Sequence, residues 1–187
     1  MDREEESQLI KSIRKGNLQD FERIIDSYEK VLLHIAYYTV GNKEDAEDLC
    51  QETFIKLFKH IRSFIPRKGS LKNYLYRTLI NLCYSHLTKT RKFSINVMEE
   101  ENFSFTIKEE KGEISSIINK LLKFLSPRER IVFVLKEIED LEYNEIAKVL
   151  KLNEITVRRH NSMARQKLKE LIEKNYPEYG RLYEKNT

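Results

Sequence analysis

The amino-acid sequence predicts an all-α protein: two small helical domains joined by a flexible acidic linker, the second domain with a helix-turn-helix. Three observations predict this fold class. Glycine and proline contribute only 5 and 3 of the 187 residues, and this scarcity favours helix over sheet. Apolar residues recur at three- and four-residue steps through most of the chain, which is the spacing of amphipathic helices. Residues 93–113 lack that spacing and separate the two periodic regions.

The composition is typical of a protein that works in the cytoplasm. Hydrophobic residues make up 40% of the chain and charged residues 34%, which leaves enough apolar material for packed cores. No stretch approaches the roughly 18 consecutive apolar residues of a membrane span. The first residues, MDREEES, are acidic and polar, unlike those of a signal peptide. We therefore expect a cytoplasmic protein without membrane insertion.

Side chains that could form a metal or catalytic centre are few and scattered. Cys50 and Cys83 show neither a CxxC motif nor zinc-finger spacing, so we expect two reduced thiols on buried helix faces. The four histidines form no HExxH motif, and no glycine-rich nucleotide-binding loop occurs. Nothing clusters as a nucleophile with its base. The sequence predicts no metal site, no cofactor and no enzymatic activity.

Charge is distributed unevenly along a chain whose formal net charge is only +4. Residues 59–92, the acid-free segment, hold nine basic side chains and no Asp or Glu. Lys and Arg attract phosphates and release condensed counterions, so this segment is a candidate nucleic-acid surface. Phe64, Tyr74, Tyr76 and Tyr84 lie among the cations, and aromatic faces stack on unpaired bases. The alternative interpretation is a solvated helical face.

Three helices are predicted in the first domain, which covers residues 1–92. Each begins at a residue that can cap it, namely Asn17, Asn42 or Ser70. The predicted helices cover about 17–40, 42–61 and 71–89. In the second of them, apolar residues follow helical spacing at Ala46, Leu49, Cys50, Thr53, Phe54, Leu57, Phe58 and Ile61. Carboxylates occupy the opposite side of that helix at Asp45, Asp48 and Glu52.

The second domain is predicted over residues 114–175, with a tail at 176–187. Its helices cover about 114–125, 127–139, 143–150 and 154–173. The second of these begins with Ser126, Pro127 and Glu129, which combine an N-cap, a first-turn proline and a capping-box glutamate.

Residues 143–162 (YNEIAKVLKLNEITVRRHNS) fit a helix-turn-helix. Ala147 is the small residue where the two helices cross, and Asn153 is a suitable cap for the second helix. Lys151 stands where the turn usually holds a glycine, and a left-handed conformation there costs a lysine about 1 kcal/mol. The second helix presents residue types that read base edges and phosphates in a major groove. The alternative is an ordinary pair of helices.

Two motifs in this order resemble extracytoplasmic-function (ECF) sigma factors, which give RNA polymerase its promoter recognition. DAEDLCQETFIKLF (45–58) resembles their core-polymerase-binding helix, and LSPRERIVFVLKEIEDLEYNEIAKVLKLNEITVRRHNSMARQKLKEL (125–171) resembles their C-terminal promoter-binding domain. GSLKNYLYRTLINLCYSHLTKTRK (69–92) is similar to the segment that opens and reads the −10 element. The resemblance implies a two-domain alternative sigma factor that binds core polymerase and directs promoter-specific transcription initiation.

The resemblance also implies roles for particular residues. Facing the β′ clamp helices of polymerase would be Asp45, Asp48, Gln51 and Glu52. Contacting the −10 element would be Arg62, Arg67, Lys68, Ser70, Lys72, Asn73, Tyr74 and Arg77. Reading the −35 element would be Glu154, Thr156, Arg158, Arg159, Ser162 and Arg165. The implied partners are the polymerase core with its β′ clamp helices and β flap, duplex and melted promoter DNA, and an anti-sigma factor.

The chain departs from the family's usual pattern at several positions. Tyr74 stands where the family often has Trp, while Ile155, Asn161 and Met163 stand where Gly, Leu and Arg, respectively, are usual. Asn161 also falls on the apolar seam of its helix, which makes it a candidate polar core residue. The alternative function is a stand-alone helix-turn-helix regulator of transcription, which would leave the acidic residues of 45–58 without a role.

Overall fold

The computed structural model describes residues 3–64, 70–95 and 113–177, and these residues contain helices and no β-strand. The all-α fold class and its two domains are thus confirmed. The helices of the first domain are α1 (Arg3–Arg14), α2 (Gln19–Val40), α3 (Lys43–His60) and α4 (Leu71–Ile95). Those of the second domain are α5 (Glu113–Leu122), α6 (Pro127–Phe133), a π-helical turn (Val134–Ile138), α7 (Tyr143–Leu150) and α8 (Glu154–Asn175).

Helix α1 lies outside the predicted elements. Its apolar residues Leu9, Ile10 and Ile13 are buried, and their one- and four-residue spacing places them on one helical face. Helix α4 extends to Ile95, three residues into the segment predicted as linker. The rest of that linker, 96–112, and the tail beyond residue 177 lie outside the described residues.

A buried carboxylate joins α1 to two other helices of the first domain. Glu6 is 4% exposed, and its Oε1 accepts a hydrogen bond from the Tyr28 hydroxyl at 3.0 Å. Its Oε2 accepts one from the backbone N–H of Leu71 at 3.1 Å. Leu71 is the first residue of α4, where backbone N–H groups lack partners within the helix. Glu6 therefore caps α4 from another helix, and its negative charge suits the positive end of the helix dipole.

The predicted capping box begins α6 and also fixes this helix against α8. The Glu129 N–H donates to Ser126 Oγ at 3.4 Å, and the Ser126 N–H donates to Glu129 Oε2 at 2.9 Å. Lys167 Nζ of α8 donates to Glu129 Oε1 at 2.7 Å. Burial acts to raise the pKa of Glu129, but the bonds from Lys167 and Ser126 outweigh burial and hold the pKa below its ordinary value.

The two domains contact each other through α2 and α4 of the first domain and through α5, α6, the π-helical turn and α7 of the second. The buried Arg130 guanidinium of α6 donates from Nη1 to the Thr39 carbonyl oxygen at 3.0 Å. Thr39 lies in the last turn of α2, where carbonyl groups lack helical partners and attract cations. Nearby, the Arg128 guanidinium lies 4.5 Å from the centroid of the Tyr84 ring in α4. These contacts place the second domain against α2 and α4.

Three features of the described residues concern membranes, metals and disulfides. No helix among them combines the length and the apolar character needed to cross a membrane. In the same part of the chain, no three His, Cys, Asp or Glu side chains are grouped so that they could hold a metal ion. Cys50 and Cys83 are free thiols, and both are buried, as the sequence predicts.

We expect both cysteines to be inert in the folded protein. Burial raises the pKa of the Cys50 thiol to about 11 and that of the Cys83 thiol to about 12, and the thiolate is the reactive form. At mildly alkaline pH, the folded chain should react with DTNB at least about 100-fold more slowly than free cysteine. The control is the chain unfolded in guanidinium chloride, in which both thiols should react. Fast reaction of either thiol in the folded chain would contradict this placement.

Candidate polymerase and promoter interfaces

The N-terminus of α3 holds Asp45 in contacts within the first domain. Asn42 caps the helix, since its Oδ1 accepts a hydrogen bond from the Asp45 N–H at 2.8 Å. The Asn42 side-chain amide also donates to the Asp45 carboxylate. His86 Nε2 of α4 lies 3.3 Å from Asp45 Oδ2. Asp45 therefore stabilises the start of α3, as its spacing from the cap Asn42 indicates, and also the packing of α3 on α4, which the sequence did not predict.

The other three residues predicted to face polymerase lie exposed on α3. Asp48, Gln51 and Glu52 are separated by steps of one to four residues and share one side of the helix. Glu52 Oε1 lies 3.1 Å from Lys56 Nζ one turn later. Such an exposed pair contributes little to stability, so it leaves the Glu52 carboxylate available to a partner.

Two partly exposed apolar side chains lie next to these three polar residues. Ile55 is 51% exposed and Phe58 is 48% exposed, and both follow Gln51 and Glu52 by about one or two turns. The helical spacing groups Phe58 with the buried residues of α3, but its ring is only partly covered. It lies at the end of the helix, where Phe21 of α2 meets it edge-on at a centroid distance of 5.1 Å. Together with Asp48, Gln51 and Glu52, Ile55 and Phe58 form the α3 face.

A groove of about 760 Å³ lies between the end of α3 and the first turns of α4. Phe64 and Tyr74 meet edge-on in its wall, with ring centroids 5.6 Å apart. Four of the residues predicted to contact the −10 element line this groove: Ser70, Asn73, Tyr74 and Arg77. The groove thus combines aromatic rings with hydroxyl, amide and guanidinium groups, which are the groups that hold unpaired bases.

The remaining residues predicted for the −10 element lie elsewhere. Arg62 is exposed in the turn after α3, whereas Arg67 and Lys68 lie outside the described residues. Lys72 contacts the second domain, with its Nζ 3.6 Å from Glu145 Oε1 of α7. The sequence therefore groups residues that the structure divides between a groove, a turn and a domain contact.

Arg77 of the groove also contacts the second domain. Its Nε donates to the Val149 carbonyl oxygen at 3.3 Å, and its Nη2 donates to the Lys148 carbonyl oxygen at 2.7 Å. Both carbonyls lie in the last turn of α7, which leaves them without helical partners and with a partial negative charge. The guanidinium of Arg77 thus caps the first helix of the helix-turn-helix.

The helix-turn-helix is formed by α7 and α8, as the sequence predicts. Lys151 ends α7 in the left-handed conformation, with φ 54° and ψ 43°. The Leu152 N–H then donates to the Ala147 carbonyl oxygen at 3.0 Å, which closes the turn. Asn153 caps α8, since its Oδ1 accepts a hydrogen bond from the Thr156 N–H at 2.7 Å.

Helix α8 presents most of the residues predicted to read the −35 element. Arg158, Arg159, Ser162 and Arg165 are exposed, whereas Glu154 and Thr156 are half-buried. Arg158 Nη2 donates to Glu154 Oε1 at 2.6 Å, and its guanidinium lies 4.2 Å from the centroid of the Tyr143 ring. These contacts direct Arg158 toward α7.

Asn161 lies in the core of the second domain, at 1% exposure. Its Nδ2 donates to Glu137 Oε1 at 2.6 Å and to the Tyr143 hydroxyl oxygen at 3.0 Å. Glu137 comes from the π-helical turn, so that turn supplies a partner for the buried amide. These bonds satisfy the amide nitrogen, whereas the Asn161 Oδ1 is buried without a hydrogen-bond partner. The prediction that Asn161 is a polar core residue is confirmed.

Comparison with known proteins identifies the family. The chain matches the models of Sigma-70 region 2 over residues 24–93 and of Sigma-70, region 4 over residues 115–168. It is 30% identical over 178 residues to the ECF RNA polymerase sigma factor SigW of Bacillus subtilis, and the match covers 87% of this chain and 94% of that protein. The chain belongs to the ECF sigma factor family. It is an alternative sigma factor that associates with RNA polymerase and promoter DNA and directs transcription initiation.

One further relative and two solved structures are also similar to this chain. The ECF RNA polymerase sigma factor SigE of Mycolicibacterium smegmatis is 26% identical over 168 residues, and the match spans 86% of this chain and 65% of SigE. CnrH, solved with the cytosolic domain of CnrY, has a similar fold with a TM-score of 0.69 and 20% identity, over 91% of this chain and 99% of CnrH. The sigma factor RpoE of Bartonella quintana, solved with the anti-sigma factor NepR, has a TM-score of 0.66 and 24% identity. That match covers 84% of this chain and 99% of RpoE.

We expect Lys151→Gly to raise the free energy of unfolding of this sigma factor by up to about 1 kcal/mol, because glycine removes the strain of a left-handed residue that carries a Cβ. The midpoint of thermal unfolding, Tm, should then rise by about 2–4 °C for each kcal/mol. Lys148→Gly, inside α7, is the matched control and should lower the free energy by about 1 kcal/mol. An unchanged or lower Tm for Lys151→Gly would contradict the strain at the turn.

Proposed function

We propose that this sigma factor binds the β′ clamp helices of polymerase through the α3 face, melted −10 DNA through the groove beside α4, and −35 duplex through α8. The observation that carries the proposal is the division of charge at the end of α3. Carboxylates are exposed on α3, and the acid-free segment begins at its last turn with Lys59. Surfaces of opposite charge therefore lie side by side, suited to a cationic protein partner and to DNA.

Polymerase binding is assigned to Asp48, Gln51 and Glu52 together with Ile55 and Phe58. Exposed carboxylates steer a cationic partner toward the correct register and raise its association rate. Partly exposed apolar side chains supply the buried centre that a stable protein interface needs. The α3 face combines both within three helical turns. The second domain is assigned the contact with the β flap.

Promoter contacts are assigned to the two other surfaces. In the groove, Tyr74 would stack on an unpaired base, while Asn73 and Arg77 would hold the base edge and the backbone. On α8, the exposed Arg159 and Arg165 have the reach and the charge for phosphates and base edges in a major groove. The protein acts without catalysis, in the cytoplasm, by positioning polymerase on DNA.

An anti-sigma factor is the remaining proposed partner. RpoE of Bartonella quintana, which has the same fold, was solved in complex with the anti-sigma factor NepR. Such a partner would cover the α3 face or the groove and so block polymerase or promoter. Purification of this chain from its own cells under non-inducing conditions tests the point. Recovery without a stoichiometric partner would contradict it.

Run-off transcription tests the proposed function. We expect the wild-type chain, mixed with core polymerase and the promoter region upstream of its own gene, to give a discrete start site. Asp48→Arg/Glu52→Arg should abolish the transcript, because two cations on the α3 face repel a cationic partner. Glu170→Arg/Glu173→Arg, on the exposed side of α8, is the charge-matched control and should retain most of the product. Specific duplex binding without a transcript would instead indicate a stand-alone regulator.

Binding of −10 DNA also requires the two domains to separate. The Arg77 guanidinium, which is proposed to hold melted DNA, caps α7 in this arrangement, and Lys72 is likewise paired with Glu145 of α7. In addition, Lys148 of α7 lines the same groove. We therefore infer that the described arrangement belongs to the free chain, and that promoter binding moves α7 away from α4.

Fluorescence energy transfer measures this movement. Dyes at Glu22→Cys and Lys174→Cys label the exposed sides of the two domains, since Cys50 and Cys83 are buried. We expect energy transfer to fall when core polymerase and promoter DNA are added together. Promoter DNA with a scrambled −10 element serves as the control and should give a smaller change. Equal energy transfer in the free chain and in the promoter complex would contradict domain separation.

A further inference from the structure

Ile155 is an apolar side chain that the fold of the second domain does not use. It is 80% exposed, more than any other large hydrophobic residue in the described part of the chain. Isoleucine is also a modest helix former, because its branched Cβ loses rotamer freedom in a helix. Neither packing nor helix propensity therefore accounts for isoleucine at this position.

The position of Ile155 is the one at which a recognition helix meets base edges. It is the second residue of α8, and the N-terminal residues of such a helix enter the major groove first. Arg158, Arg159 and Ser162 follow at three, four and seven residues, so they share its side of the helix. Ile155 thus leads an exposed row whose other members are polar or cationic.

The contacts of Arg158 leave Ile155 uncovered. The long side chain of Arg158, one turn away, pairs with Glu154 of α8 at 2.6 Å, and its guanidinium lies 4.2 Å from the centroid of the Tyr143 ring of α7. Ile155 keeps 80% of its surface exposed beside these contacts. The branched side chain also has few rotamers, so little conformational entropy is lost when a ligand covers it.

The major groove offers one apolar group to such a side chain, the C5-methyl of thymine. We propose that Ile155 determines sequence specificity by packing on the methyl group of one thymine in the −35 element. The proposal rests on the assignment of α8 to −35 duplex. Ile155 is not among the polar residues predicted to read the −35 element. ECF sigma factors usually have glycine at this position, and glycine has no side chain to make this contact.

A promoter selection with the full chain and core polymerase tests the proposal. Templates that carry a randomised −35 region are transcribed by the wild-type holoenzyme and by the Ile155→Ala holoenzyme, and the productive templates are sequenced. We expect one thymine that the wild type prefers to lose its enrichment with Ile155→Ala. Phe124→Ala, which removes a 57% exposed ring outside the helix-turn-helix, is the matched control and should keep every base preference.

A double-substitution cycle then isolates the contact. Deoxyuridine replaces that thymine in a fixed promoter, which removes only the methyl group. Transcription by the wild type should fall about fourfold, the equivalent of about 0.8 kcal/mol for one buried methyl or methylene group. Ile155→Ala should show no further loss with deoxyuridine, because the partner side chain is already absent. Ile155→Val keeps a branched apolar side chain and should retain most of the sensitivity.

Two results would overturn the proposal and leave the proposed function intact. One is an unchanged set of base preferences with Ile155→Ala. The other is an equal loss of transcription on every template, which would indicate that Ile155 contacts polymerase rather than DNA. A wild-type holoenzyme that shows no preference anywhere in the −35 region would overturn the assignment of α8 as well.

Discussion

Helix α4 is the element on which the rest of the structure depends, because helices of both domains pack against it. Leu75, Leu79 and Cys83 bury one side of it among α2 and α3, while α6 and α7 contact it from the second domain. Its first backbone N–H is held by the Glu6 carboxylate of α1. These constraints fix the N-terminal half of α4, and with it the groove that contains Tyr74.

The cations of residues 59–92 serve both the packing of the two domains and, under the proposed function, the binding of DNA. Cations on this segment have no carboxylate close by in sequence, so Arg77 and Lys72 find their partners in α7 instead. Those partners are carbonyl groups at a helix end and a half-exposed carboxylate. The phosphates of DNA can take the place of both as partners of the two cations. Under the proposed function, domain packing and promoter binding are therefore alternatives that use the same side chains.

Several features of the fold and the site follow directly from local sequence. The capping box at Ser126, the left-handed Lys151 and the buried Asn161 were all predicted, because each depends on residues within about one or two turns or on helical spacing. Helix α1 carried a similar signal in its apolar spacing and was nevertheless not predicted. The exposure of Phe58 had no such signal, since helical spacing alone does not show where the neighbouring helix ends.

The sequence by itself determined the all-α class, the two domains, the helix-turn-helix and the segregation of acidic and basic segments, since periodicity, capping and charge are local properties. Only the tertiary structure decided which of the predicted residues come together. It divided the described −10 residues among the groove, the turn after α3 and the contact with α7, tied Asp45 to His86, and left Ile155 exposed on α8. These outcomes depend on contacts between residues far apart in the chain, and the spacing of residues along one helix carries no information about them.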